Sequence, residues 1–107
     1  MPTDFSRRVL EYLRRVPRGK VTTYGDVAKA VFGDVRKARA VASALAANEL
    51  PDVFPCYKVV AAAGKLGGYN LGLPEKIRRL RADGIVIEGK GESARVAPES
   101  LWAPEGA

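Results

Sequence analysis

Few groups in this chain can do chemistry, and their types narrow the options. There is one cysteine, Cys56, and no histidine. A single thiol cannot close an internal disulfide, and Cys/His metal clusters are excluded, so no metal site is expected. Ser–His and Cys–His nucleophile pairs are excluded for the same reason. Covalent chemistry, where it exists, must use Cys56, a carboxylate, a tyrosine or a lysine. Cys56 lies in the apolar run VFPCYKVV. A thiol in such a run is either a small buried filler or a nucleophile. The second role needs something that favours the thiolate. Lys58 and the basic surroundings can do so electrostatically, Tyr57 brings a hydroxyl, and a helix N-terminus packed nearby would add to the field. The local sequence leaves both roles open.

The 107 residues carry 18 Lys and Arg against 12 Asp and Glu, a net charge of +6. The excess sits in the first half. Residues 1–47 hold Arg7, Arg8, Arg14, Arg15, Arg18, Lys20, Lys29, Arg36, Lys37 and Arg39 against Asp4, Glu11, Asp26 and Asp34. The last 25 residues are net acidic. A basic half of this kind suggests a polyanionic partner. At 47% hydrophobic and 28% charged, the chain is expected to fold, as one domain over residues 1–107. No apolar run approaches the roughly 20 residues needed to span a bilayer. The N-terminus MPTDFSRRVLEYL lacks a basic-then-apolar leader. A cytoplasmic protein with no membrane partner is expected.

The elements that must position Cys56 follow from periodicity and punctuation. Phe5, Val9, Tyr12, Leu13 and Val16 fall at helical spacing and predict a helix over 4–16. Pro17 to Lys20 reads as a turn, and Val21 to Thr23 as extended. Thr23 and Asp26 have capping-box spacing for a helix running to about Phe32. Gly33 should stop it, and Asp34 should cap a second helix from about Val35 to Asn48. Helix, tight turn, helix is the helix-turn-helix pattern. After Pro51 and Pro55, Cys56 to Ala63 reads as extended, turning back at Gly64–Lys65. Gly67, Gly68 and Gly72 surround Tyr69 in a loop. Pro74 should open a helix to Asp83, closed by Gly84. Ile85–Glu88 and Ala94–Val96 flank GKGE as a hairpin. The tail from Pro98 reads as irregular, anchored by Trp102.

The segment RKARAVASALAAN, residues 36–48, is mostly alanine, with arginine and lysine at one end. Small side chains let a helix backbone lie close to another surface. That surface is either the protein's own core or a nucleic-acid groove. Arg39 is correspondingly either a solvated charge or a finger inserted into a base stack.

Several motifs, in order, resemble the C-terminal domain of alkylguanine-DNA alkyltransferases and the related alkyltransferase-like proteins. RGKVTTYGDVAKA is similar to the start of that family's helix-turn-helix, and KARAVASALAAN to its recognition helix. FPCYKVV occupies the place of its Pro-Cys-His-Arg-Val segment, GGYNLG that of its substrate loop, and LWAP resembles the tail of alkyltransferase-like proteins. The resemblance implies a mainly α fold with small β elements, winged helix-turn-helix-like, of the alkyltransferase C-terminal type. It implies a monomer that docks on duplex DNA containing O6-alkylguanine, with no cofactor. The recognition helix would enter the minor groove, with Thr23, Tyr24, Arg36, Lys37, Arg39, Ala40 and Ser43 on the DNA side. Arg39 would replace the flipped nucleotide and Tyr24 would rotate its 3′ phosphate. Asn48 would bond the backbone near Cys56. Tyr69, Asn70, Val59 and Lys58 would line the base pocket, and Asp83 falls where the family has its relay glutamate.

The departures from the family bear on mechanism. The family's histidine after the cysteine is Tyr57 here, and its arginine is Lys58. A tyrosine with an ordinary pKa near 10 is a poor base at neutral pH. Loss of a general base typically costs roughly 10²–10⁴ in rate. A retained Cys56 implies irreversible alkyl transfer to sulfur. The length of the chain and its Trp102-Ala103-Pro104 ending imply the alternative, a non-catalytic sensor that recruits nucleotide excision repair proteins. A generic winged-helix DNA binder is the third alternative.

Overall fold

The computed structural model describes residues 4–49, 52–69, 71–90 and 93–102. The chain is mainly helical, with short strands tying the helices together. Helix α1, Asp4–Leu13, buries Val9, Leu10 and Leu13 on one face. It ends three residues earlier than its apolar spacing predicts. Arg14, Arg15 and Val16 continue as a tighter turn, bonding to Glu11, Tyr12 and Leu13 carbonyls. Pro17 disfavours helical backbone at Val16, which explains the early stop. Arg8 holds the far end: its guanidinium lies 5.1 Å from the Phe32 ring centre and bonds Val31 O at 2.8 Å. Phe5 stacks on the same ring at 4.3 Å.

Strand β1, Thr22–Thr23, runs into helix α2, Tyr24–Phe32. The Thr23 hydroxyl accepts from Asp26 N at 3.1 Å, the expected N-cap. Gly33 ends α2 in the left-handed region, at φ 72°. The second helix of the pair starts later than Asp34 suggests. Asp34 accepts from Arg36 N, and Lys37 N bonds Asp34 O, so Val35–Lys37 is a 3₁₀ turn. Helix α3 then spans Ala38–Ala46.

The expected extended run from Cys56 to Ala63 is not one. Cys56–Lys58 is a 3₁₀ turn, Val59–Val60 is strand β2, and Ala62–Gly64 is another 3₁₀ turn with Ala63 left-handed. Strand β2 pairs in parallel with β1, Thr22 with Val59 and Thr23 with Val60. The chain does fold back after it, Ala61 N bonding Lys65 O at 2.7 Å. Lys65, however, bridges to Arg95. Helix α4, Leu73–Ala82, carries Pro74 in its first turn and stops at Asp83, close to what the punctuation implies. Strands β3, Ile87–Glu88, and β4, Arg95–Val96, form the expected hairpin; Gly91 and Glu92 of its turn lie outside the described residues. The tail is anchored: Leu101 bridges Val21, Trp102 N bonds Val21 O, and the Trp102 ring lies 6.0 Å from Tyr12. Among the described residues no helix is long and apolar enough to cross a membrane.

Two apolar clusters meet at β1 and β2. Val59 joins the cluster of α1, α2 and α3, and Val60 joins the cluster of Val21, Leu66, Leu80, Ile85 and Val96. Adjacent strand residues face opposite sides, so β2 serves both clusters.

Two buried lysines complete the seam. Lys58 Nζ bonds Pro17 O at 2.8 Å, Val16 O at 3.3 Å and Asp83 Oδ2 at 3.0 Å. Asp83 also accepts from Gly19 N at 3.2 Å. This latch joins the end of α1, the Cys56 turn and the end of α4. Lys76, fully buried on α4, bonds Val59 O at 2.7 Å and Gly68 O at 3.1 Å. Burial lowers its pKa from 10.5 to about 8.

Both lysines give measurable expectations. Lys58→Met leaves Asp83 without its buried ammonium and should destabilise the fold by about 3 kcal/mol in urea unfolding. For Lys76 the protonated form is disfavoured by folding. Its destabilising contribution is complete below about pH 8 and fades as pH rises toward 10.5. The wild-type melting temperature should therefore climb relative to Lys76→Met from about pH 8 to pH 10. Parallel curves would show that the charge carries no folding cost.

Candidate functional site

The one-turn segment at Cys56 determines where three neighbouring side chains go. A 3₁₀ turn has about three residues per revolution, so successive side chains diverge by roughly a third of a circle. Cys56 points into a cavity of about 300 Å³ lined by Tyr24, Ala42, Leu45, Ala46, Gly68 and Tyr69. Tyr57 points into a separate, more open cleft of about 410 Å³, with Arg18, Arg79 and Asp83 among its walls. Lys58 points into the latch. The larger cleft is not the chemical centre. It lacks the thiol, and its Arg78 and Arg79 are engaged by Glu75 and Asp52.

In the thiol cavity, Asn48 closes the loop after α3 onto the sulfur. Its amide donates to Phe54 O at 3.0 Å and to Cys56 Sγ at 3.4 Å. A donor aimed at sulfur suits a sulfur that carries negative charge. Cys56 is itself buried, and its N–H bonds Phe54 O at 2.7 Å. Tyr24, placed by the Thr23 cap, forms one wall. Burial raises its pKa, with a smaller contribution from Cys56. The same causes lead for Tyr69. Both phenols therefore stay protonated and available as donors. The Tyr69 hydroxyl is buried with no hydrogen-bond partner among the described residues, which is costly unless a ligand completes it. Gly67 makes room for Tyr24. A Cβ there would sit 3.1 Å from the Tyr24 hydroxyl, on a backbone at φ 72°.

Helix α3 carries the cavity's mouth. Ala42, Leu45 and Ala46 line it. Arg39, Ser43 and Ala46 are exposed and share a face at helical spacing, Arg39 standing about 10 Å along the axis from Ala46. Arg36 and Lys37 are exposed at the start of this arm, Arg36 forked onto Asp34 at 3.0 and 3.2 Å. Ala40 is half-buried against the neighbouring elements.

Sequence-predicted residues thus separate into groups. Tyr24, Cys56 and Tyr69 line one cavity, and Asn48 bonds the sulfur. Lys58 and Asp83 do neither; they bond each other, and the Asp83 carboxylate is turned to Lys58 and Gly19. Tyr57 lies outside the thiol cavity, its pKa raised by burial and then by Asp83. Val59 is wholly buried, contributing its carbonyl to Lys76. Asn70 lies outside the described residues. Sequence reasoning missed Lys76, which is buried with its ammonium on the Val59 and Gly68 carbonyls. The available signal was a lysine four residues before Leu80, on the apolar stripe of α4.

Comparisons with known proteins bear on the family and the fold. The family model described as 6-O-methylguanine DNA methyltransferase, DNA binding domain, matches residues 4–85. A bifunctional methyltransferase/endonuclease of Picrophilus torridus is 56% identical over 84 residues, covering 78% of this chain and 28% of the relative. A methylated-DNA–protein-cysteine methyltransferase of Methanothermobacter thermautotrophicus is 40% identical over 88 residues, covering 82% and 48%. The chain therefore spans less than half the length of these curated relatives. S. pombe Atl1, solved in complex with damaged DNA containing O6-carboxymethylguanine, superposes with a TM-score of 0.81 at 29% identity, covering 97% of this chain and 100% of that one. Mycobacterium tuberculosis OGT in complex with DNA gives a TM-score of 0.74 at 36% identity, covering 78% and 51%. The fold built around Cys56 and the match over residues 4–85 together make this chain a member of the 6-O-methylguanine DNA methyltransferase family, with the fold of its DNA-binding domain.

Proposed function

We propose that this chain binds duplex DNA containing O6-alkylguanine, flips the lesion into the Cys56 cavity and takes the alkyl group onto sulfur. The observation that carries this reading is a buried thiol facing a cavity with a tyrosine hydroxyl that has no partner among the described residues. Helix α3 presents its small-residue face at the mouth of that cavity. With α3 in the minor groove, Arg39 fills the space of the extruded nucleotide. Thr23, Tyr24, Arg36, Lys37, Ala40 and Ser43 face the strand, and the basic N-terminal half supplies sequence-independent attraction to phosphates. Flipping costs a few kcal/mol, least at a damaged pair.

In the reaction the thiol first loses its proton to solvent. The thiolate then attacks the alkyl carbon, forming the S–C bond as the C–O6 bond breaks. The electron pair stays with guanine, which takes up a proton on a ring nitrogen. Tyr69 and Tyr24, kept protonated by burial, are the donors placed to assist. The product is a thioether, so each molecule acts once.

A second reading, a lesion sensor that hands its site to excision repair, is favoured by one observation. Tyr57, at the position after the thiol, faces away from the cavity and offers it no base.

Two measurements separate the readings. Mixing the protein with O6-methylguanine duplex should add the mass of one methylene to the peptide containing Cys56. An unshifted mass with tight lesion binding assigns the sensor role instead. Arg39→Ala should weaken binding to the lesion duplex at least about ten-fold, whereas Arg95→Ala on β4 should change it less than about two-fold. Equal losses would mean that bulk charge alone holds the DNA.

A further inference from the structure

Asp34 places an acid at the start of the arm that carries Arg36, Lys37 and Arg39. Its carboxylate does two things there. Oδ1 accepts from Arg36 N at 2.9 Å, which caps the Val35–Lys37 turn. The same carboxylate holds the Arg36 side chain, Oδ1 accepting from Nε at 3.0 Å and Oδ2 from Nη2 at 3.2 Å. Capping needs only a neutral acceptor, and asparagine or serine supplies one. Gripping the guanidinium at both oxygens draws its strength from the charge.

The grip gives the fold little. The Arg36 side chain is 88% exposed and that of Asp34 29% exposed, and an ion pair so open to water adds little stability. It does decide what a phosphate meets. A guanidinium can fork onto an oxyanion along its Nε edge or along the edge between its two Nη atoms. The Nε edge is taken by Asp34. A phosphate that uses the remaining edge stands near the carboxylate, and like charges at short range repel. Asp34 is charged at neutral pH, because Arg36, and then Lys37, hold its carboxyl below the usual range. Arg39, the residue placed to fill the gap in the base stack, lies outside the fork.

We propose that Asp34 is a brake on lesion-independent DNA binding: by gripping Arg36 it weakens phosphate attraction at the start of α3, and the protein leaves undamaged duplex sooner. The contacts that flip a lesion are not affected. This inference rests on the docking of α3 on duplex DNA proposed above.

The test is duplex binding by the full chain with Asp34→Asn, which keeps the cap and removes the charge. Affinity and release rate are measured over a salt series, on undamaged duplex and on the same duplex with one O6-methylguanine. Asp34→Asn should bind both at least about three-fold tighter at about 50 mM salt, with log K falling more steeply by about 0.9 per decade of salt, the signature of one more phosphate contact. The gain should appear as slower release. Asp34→Ser, a second neutral cap, should reproduce it. Glu88→Gln, at an exposed acid on the β3–β4 hairpin, should leave both affinities within about two-fold of wild type. Unchanged affinity and salt slope in folded Asp34→Asn and Asp34→Ser overturn the inference. An equal gain from Glu88→Gln also overturns it, since net charge alone would then be responsible. Wild-type protein with no salt-dependent binding to either duplex would instead reject the docking of α3 on DNA, and the brake with it.

Discussion

The backbone around Cys56 depends on two buried ammonium groups. From Cys56 to Gly64 the chain makes two 3₁₀ turns and a two-residue strand, so little regular structure holds it to the elements around it. Lys58 reaches Val16 and Pro17 carbonyls, and Lys76 reaches those of Val59 and Gly68. Each carbonyl left bare would carry a desolvation penalty of about 1–3 kcal/mol. The lysines do what neighbouring strands would do in a larger sheet. They also fasten α1, α4 and the loop before Tyr69 to one short segment. The position of the thiol follows from that fastening.

The tightness of the turn then decides which chemistry faces which space. In an extended segment Cys56 and Lys58 would share a face, and the lysine would stand beside the sulfur. In the 3₁₀ turn they part company. Lys58 pairs with Asp83, and its ammonium is spent on structure. A different lysine, Lys76 from a helix twenty residues later in the chain, bonds the carbonyls of Val59 and Gly68 instead. Asp83 is occupied in the same way, since its carboxylate is held by Lys58 and Gly19. The polar groups adjacent to the cysteine in sequence are therefore those the fold directs away from it.

Helix α3 shows how local capping and tertiary packing cooperate. Asp34 captures Arg36 and Lys37 in a tight turn, leaving Ala38–Ala46 as the α-helix proper. Val41, Ala44 and Leu45 bury one side against α1 and α2. The opposite side keeps Arg39, Ser43 and Ala46 exposed. With only small side chains past Arg39, nothing on that face rises above the backbone by more than a few ångströms. That profile suits close approach to another surface and leaves the cavity mouth unobstructed.

What the residues alone determined is the local part of this protein. The caps at Thr23 and Asp34, the stop at Gly33, the Pro74 start and Gly84 end of α4, and the β3–β4 hairpin all depend on contacts within a few positions. Such contacts are legible from residue types and spacing. The structure brings Tyr24, Asn48 and Tyr69 to Cys56, which their spacing in the chain does not show. Tertiary structure decided the rest. Whether Val59 and Val60 belong to a long strand or a short parallel pair depends on β1, more than thirty residues earlier. Which carbonyls Lys76 reaches depends on where α4 docks. Buried charges are placed by the least costly set of partners in the assembled core, and that set is a property of three dimensions, invisible to any window of sequence.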